Sequence, residues 1–572
     1  MGNSKKNKNN RSAGSSKNTT IKNTKTNVST VQTIEKQNKL EYIVVNILSL
    51  LVFVAFAYIA IMSFIQTSVI DSANYSSEVI LYQTDNVALN LLFTALFAVF
   101  AFKMNKHCDF FAKLNIKVYE ICLVAFVAII GFIWIFSVTS IPAADSYNLF
   151  ETATGAAKGV YPSLHNGQPF YNSDYYGGYS YYNFYPFQLG FVFLSEIVYR
   201  IFGTSSSMPI QVINVLCVAA TYLGIARITR RLFNRLSIEF FAIILLAGCF
   251  QPILFSTFVY GNIIGMCCAV WASYFLIKYF QTNKYTALIP CGLLLVVSTL
   301  AKYNNMIYLA AFAIVLIIHT IIKKKWQSIA FALAICIATV GTSNLVIMSY
   351  ESRANVELTS GVSQTLYLDM GLNESYMAPG WYNAIALNNY KSHGCDAKLS
   401  SEQAWADIKS RLSTMGNDLD YAVDFFSKKI LSQWNEPSYE SIWISKVKSH
   451  TNELGAIGNA MYGVNGQGGS LGQLFELHFN LYMQIVFVLF ACGIYFMFLN
   501  KKTNIMTVLL PLVLLGAFGY HLLFEGKSQY IFVYIPLLIP TASYALSCIL
   551  NGKYTRIKEA VNTLKTIPNK AE

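Results

Sequence analysis

Apolar runs of roughly twenty residues recur along the chain, separated by short polar segments that are mostly basic. A helix needs about that length to cross a hydrocarbon core of ~30 Å. Length and flanking charge predict about twelve spans, at roughly 41–66, 87–104, 118–138, 207–229, 238–257, 259–280, 286–301, 305–322, 328–349, 477–499, 505–523 and 530–550.

The connections test that count. Basic segments at 103–117, 227–235, 278–284, 323–325, 501–502 and 553–570 fall on one side, together with the basic N-terminus, provided that Phe187 to Phe202 does not cross. That stretch is expected to be a re-entrant or interfacial helix; as a span it would put RITRRLFNR outside. The positive-inside rule then makes both termini cytoplasmic in a multi-pass protein of the cell membrane. Two long segments, 139–206 and 350–475, become external. The second contains LSSEQAWADIKSRLS and DLDYAVDFFSKKILSQW, whose apolar residues repeat at i, i+3 and i+4 behind a Ser or Asp suited to capping. A small, mostly helical subdomain is expected there.

Composition agrees. The 572 residues are 54% hydrophobic and only 12% charged, with a mean hydropathy of +0.43; a soluble protein carries about 25% charge. The net charge of +13 sits between the spans and at the termini, so it points to membrane topology and not to nucleic acid. Residues 1–40 are rich in Lys, Asn, Ser and Thr and are expected to be a disordered basic tail, solvated or drawn to anionic membrane lipids. Most of the eleven cysteines lie in apolar runs and only Cys395 lies in a long outer loop, so no outer disulfide is expected there; CxxC and HExxH are both missing.

The candidate chemistry concentrates in Ile141 to Gly203, which follows a span. It opens with Asp145, is crowded with tyrosine between Tyr171 and Tyr185, carries Asp174, and closes with YPFQLG and an apolar helix ending in IFG. Asp145 suits either a general base or a helix cap at Ser146. Asp174 suits either a second acid, holding an acceptor or a divalent cation, or a turn beside Gly177 and Gly178. The tyrosines suit sugar stacking or an interfacial aromatic belt. Lys302, at the outer end of ALIPCGLLLVVSTLA, suits phosphate binding or snorkelling. Asp418-Leu419-Asp420 reads as acids at a helix N-terminus, not as a nucleotide-sugar DxD.

The order of these pieces resembles the GT-C class of integral membrane glycosyltransferases, in the branch with protein mannosyltransferase-like and aminoarabinose transferase-like enzymes. The matching pieces are IPAADSYNLFETATGAAKGVYP, YPFQLGFVFLSEIVYRIFG, ARITRRLF and HLLFEGKSQYIFVYIPLLIP, over roughly 118–550. The resemblance implies an all-α polytopic membrane protein with a GT-C-like core at 118–349 and an active-site loop at 139–206. Around it would lie a two-span addition at 41–117, the external subdomain at 350–475, three spans at 476–550 and a basic tail at 551–572. It also implies a polyprenyl-phosphate sugar as donor and a cell-envelope glycan, lipid or protein as acceptor, with the reaction on the outer face. Asp145 would be the base and Asp174 a second catalytic acid. Lys302 and Lys527 would bind the donor phosphate, although Lys527 in EGKSQY stands one residue from the position usual in that element. Tyr185, Gln188, Glu525 and Tyr530 would contact substrate. The resemblance implies no certain cofactor and allows a divalent cation (Mg or Mn). A lipid-linked glycan flippase, or a non-catalytic envelope-assembly protein, is the alternative. A transporter would carry ionisable residues in mid-span; here they gather at span ends.

Overall fold

The computed structural model of the chain describes residues 39–71, 78–113, 115–138, 140–168, 173–447, 455–463 and 468–551. The tails expected at 1–40 and 551–572 lie almost wholly outside them, as does Tyr171.

Each apolar run forms a helix. Among the described residues, nine helices are long and apolar enough to cross a membrane, from Lys39–Ile65 to Phe532–Leu550. A tenth candidate, Leu236–Ala247 followed by Gln251–Thr257, bends by 47°. The break has a local cause: the first helix stops at Gly248 and Pro252 sits in the first turn of the second, where a missing N–H costs nothing. Two shorter apolar helices, Tyr285–Ala301 and Leu509–Leu523, bring the set to the twelve expected positions. The last span begins as a 3-10 segment, Phe532–Leu538, around Pro536. The spans share one apolar core, to which Phe56, Tyr222, Phe312 and Phe490 contribute fully buried side chains. At one end of the bundle, Arg227 pairs with Glu120 at 3.2 Å and Arg230 with Glu239 at 3.6 Å.

The stretch after Tyr185 forms a short 3-10 turn, Pro186–Gln188, and a 14-residue helix, Leu189–Phe202. At 1.5 Å per residue that helix is about 21 Å long. Its Glu196 accepts hydrogen bonds from Arg200 and Arg353, joining it to the end of Trp326–Ala354. Tyr181, Tyr182, Phe184 and Leu189 pack with Leu149 and Tyr350 in a second core beside the spans.

The segment between residues 350 and 475 is mostly helical. The Ala397–Asn417 helix is capped by Asp396, and Leu419–Trp434 by Asp418, which accepts from the Tyr421 N–H at 2.9 Å. The second of these helices does not stay apart from the spans. Trp434 packs edge-on against Phe56, and the Tyr58 hydroxyl lies 3.0 Å from Ser427 Oγ.

One element departs from the expected all-α class. Between the first two spans, β1 (Gln66–Ile70) pairs with β2 (Ile80–Thr84) in an antiparallel hairpin, register Gln66 to Thr84 and Ile70 to Ile80. The periodicity of 2 in two five-residue strands is too short to stand out beside flanking runs of over twenty apolar residues. The hairpin is tied to the subdomain by Ser68 N–H to Asn435 O (2.9 Å) and Ile80 N–H to Met377 O (3.0 Å).

Candidate active site

A cavity of about 330 Å³ opens where the 139–206 loop, the hairpin, the subdomain and three span ends meet. Seven of the eight residues named from the sequence line it: Asp145, Tyr185, Gln188, Lys302, Glu525, Lys527 and Tyr530. Asp174 does not. It is exposed on the Ser173–Tyr176 turn, while its neighbours Tyr175 and Tyr176 face the cavity.

Asp145 is the first residue of the Asp145–Ala157 helix. The cap position itself is Ala144, at φ 51°, and no side chain caps there. The Ser146 hydroxyl bonds back to Ala143 O at 2.7 Å. The carboxylate thus stands at the positive end of the helix dipole, at the cavity wall.

Lys302 is held at the wall by close backbone approach. A Cβ on Gly190 would lie 2.4 Å from Leu300 O, and one on Gly261 1.6 Å from Ala301 O. Only glycine lets the Leu189–Phe202 helix and the turn at Gly261 touch the end of the Lys302-bearing helix. The ammonium then lies 4.2 Å from the Tyr260 ring centre and 5.6 Å from that of Tyr530. Burial pushes its pKa down to about 8, against the pull of Asp145 and Glu525, which favour the charged form.

Gln188 Nε2 donates to the Tyr260 hydroxyl. The Tyr530 hydroxyl donates to Glu525 at 3.3 Å. Burial, followed by the nearby carboxylates Asp145 and Glu525, keeps the phenols of Tyr185, Tyr260 and Tyr530 well above their ordinary pKa. These hydroxyls are therefore donors at neutral pH. Glu525 itself is raised, by burial first, with Lys527 opposing.

Lys527 is buried and forms an ion pair with Glu78. Burial opposes its charge, but Glu78 and Glu440 outweigh burial and hold the ammonium above its usual range. Glu440 also accepts from Ser528 Oγ (3.0 Å) and Gln529 N–H (3.2 Å). The turn carrying Glu525 and Lys527 is braced by a fully buried lysine, Lys429, whose Nζ donates to Gly371 O and to Phe524 O, the latter at 2.8 Å.

Sequence reasoning missed Glu78, Tyr260, Lys429 and Glu440. The YGN at 260–262 between two apolar runs could have drawn attention to Tyr260; the other three carry no local signal. Among the described residues, no group of three His, Cys, Asp or Glu side chains could hold a metal ion.

Residues 188–346 match the family described as dolichyl-phosphate-mannose-protein mannosyltransferase. The matched segment includes Gln188, Tyr260 and Lys302; Asp145, Glu525 and Lys527 lie on either side of it. No curated protein matches the chain. Among solved structures, the chain is similar to the archaeal oligosaccharyltransferase AglB from Archaeoglobus fulgidus, in complex with an inhibitory peptide and a dolichol-phosphate, at 15% identity and TM-score 0.39 over 80% of this chain and 53% of that one. A second A. fulgidus oligosaccharyltransferase structure, with Zn and sulfate, matches at 14% identity and TM-score 0.40 over 78% and 51%. ArnT from Cupriavidus metallidurans, bound to undecaprenyl phosphate, matches at 12% and 0.31 over 75% and 77%. The match spans about half the length of the two oligosaccharyltransferase chains.

Proposed function

We propose that this protein is a membrane glycosyltransferase that moves a sugar from a polyprenyl-phosphate-linked donor to a cell-envelope glycan, lipid or protein on the outer face. The observation that carries the reading is the convergence, in one cavity, of the Asp145 carboxylate with the Lys302 and Lys527 ammonium groups, brought from stretches far apart in the chain. The family match at 188–346 supports it.

The chemistry needs few groups. The acceptor oxygen or nitrogen attacks the anomeric carbon and passes its proton to Asp145. The bond between that carbon and the donor phosphate oxygen breaks, and its electron pair leaves with the polyprenyl phosphate. Phosphate is a stable anion, so no strong general acid is required. Lys302, desolvated among tyrosine rings, meets the charge as a point cation. The phenol hydroxyls of Tyr185, Tyr260 and Tyr530 offer neutral donors to sugar hydroxyls or phosphate oxygens.

The test is purified protein in vesicles with a synthetic polyprenyl-phosphate sugar and an envelope extract. Release of polyprenyl phosphate matched by sugar entering the extract supports the reading. Retention of the intact donor with glycan, lipid and protein fractions alike refutes it.

A further inference from the structure

The two-span addition contributes one charged side chain to the cavity. Glu78, at the entrance to β2, pairs with Lys527; only 14% and 9% of these side chains are exposed. The backbone of Glu78 is left-handed, at φ 48°, a conformation that non-glycine residues rarely adopt. Ile80, two residues on, is pinned by its N–H to Met377 O at 3.0 Å and packs with Met377 and Trp381. The Trp381 ring in turn lies 5.8 Å from the Lys527 ammonium. Packing thus holds the carboxylate on this lysine at the expense of the local backbone.

The charge balance of the cavity makes that contact consequential. Its lining cations are Lys302 and Lys527, and its lining carboxylates are Asp145, Glu78 and Glu525. A phosphate entering this set adds negative charge beside carboxylates that already outnumber the lysines, three to two, in a setting where like charges are poorly screened. Lys527 can neutralise phosphate only to the extent that Glu78 yields it.

We infer that Glu78 is a resident anion of the donor-phosphate site, competing with the phosphate for Lys527. This rests on the donor reading above. The competition has a use in turnover. The leaving polyprenyl phosphate carries more negative charge than the donor's diester, and a Lys527 without its Glu78 partner would hold it more tightly. Glu78, by reclaiming Lys527, weakens the hold on product and sets the affinity at which the cavity takes up and releases a lipid phosphate. Glu78 is a positioning residue that acts through Lys527, and no step of the transfer passes through it.

The experiment measures binding of a short-chain polyprenyl phosphate, and of the matching uncharged polyprenol, to the purified full-length protein. The preference of wild type for phosphate over alcohol isolates the anion's share. Glu78→Gln, isosteric and neutral, should raise that preference about tenfold and strengthen product inhibition by polyprenyl phosphate. On a Lys527→Gln background, the same change should add nothing. Should Glu78→Gln not fold, Glu78→Asp, which keeps the charge one methylene short of its partner, should shift the preference the same way by a smaller factor. An unchanged or reduced preference in a folded Glu78 variant overturns the inference. A wild type that binds alcohol and phosphate equally removes the donor reading beneath it as well.

Discussion

The Lys302 ammonium stands 4.2 Å from the centre of the Tyr260 ring, and Gln188 donates to the hydroxyl of that same tyrosine. One aromatic side chain thus links the span-end lysine to the YPFQLG turn. A desolvated cation over a ring face is stabilised by the ring quadrupole, yet remains able to gain from a full negative charge.

Lys302→Ala should therefore raise the donor concentration needed for half-maximal transfer far more than that of the acceptor. Losing one charge-assisted phosphate contact costs about 1.5–3 kcal/mol, or roughly 10- to 100-fold. Steady-state kinetics with donor and acceptor varied separately check it; unchanged donor dependence would remove Lys302 from the site.

The same residue predicts a pH dependence. Its pKa, about 8, is depressed below its ordinary value by burial, so the ammonium is intact below pH 8 and is lost as pH rises through that value. Donor affinity should fall as pH rises through about 8. Lys302→Arg, which stays charged, should flatten that fall. A fall of equal size in the Arg variant would assign the titration to another group.

Asp145→Asn should abolish transfer while leaving the protein folded and inserted. The cap position belongs to Ala144, so the near-isosteric change removes no side-chain cap from the helix. Loss of a general base costs about 10²–10⁴-fold. Asp174→Asn, made in parallel on an exposed turn, should retain activity within about twofold. Wild-type turnover in Asp145→Asn would refute its role as base.

Lys429→Met should impair the site from a distance. It removes the ammonium that Gly371 O and Phe524 O share, and each carbonyl left buried and unmet costs about 1–3 kcal/mol. Thermal unfolding should shift down, and donor affinity should drop as the turn bearing Glu525 and Lys527 loosens. A variant destabilised but unchanged in donor affinity would make the brace purely structural.

Membrane sidedness can be read with cysteine probes at exposed positions. Ser410 and Lys158 should be labelled from outside, and Asn234 and Lys501 should not. Labelling of Asn234 from outside would mean that the Leu189–Phe202 helix crosses the bilayer.

The apolar runs were legible because a backbone in hydrocarbon must satisfy its own hydrogen bonds, so about twenty apolar residues have essentially one solution. The twelve helix positions and the caps at Asp396 and Asp418 follow from local pattern alone. Asp145, Lys302 and Lys527 could be singled out as charges at span ends, but their meeting in one cavity depends on how the span ends pack, and no local pattern encodes that. The same holds for Glu78 and Lys429. In sequence, each is an ordinary charged residue in a polar segment. Only the tertiary structure removes their water and supplies, in its place, the ammonium of Lys527 for one and two backbone carbonyls for the other, because a charge is buried only where distant parts of the chain arrive to pair with it.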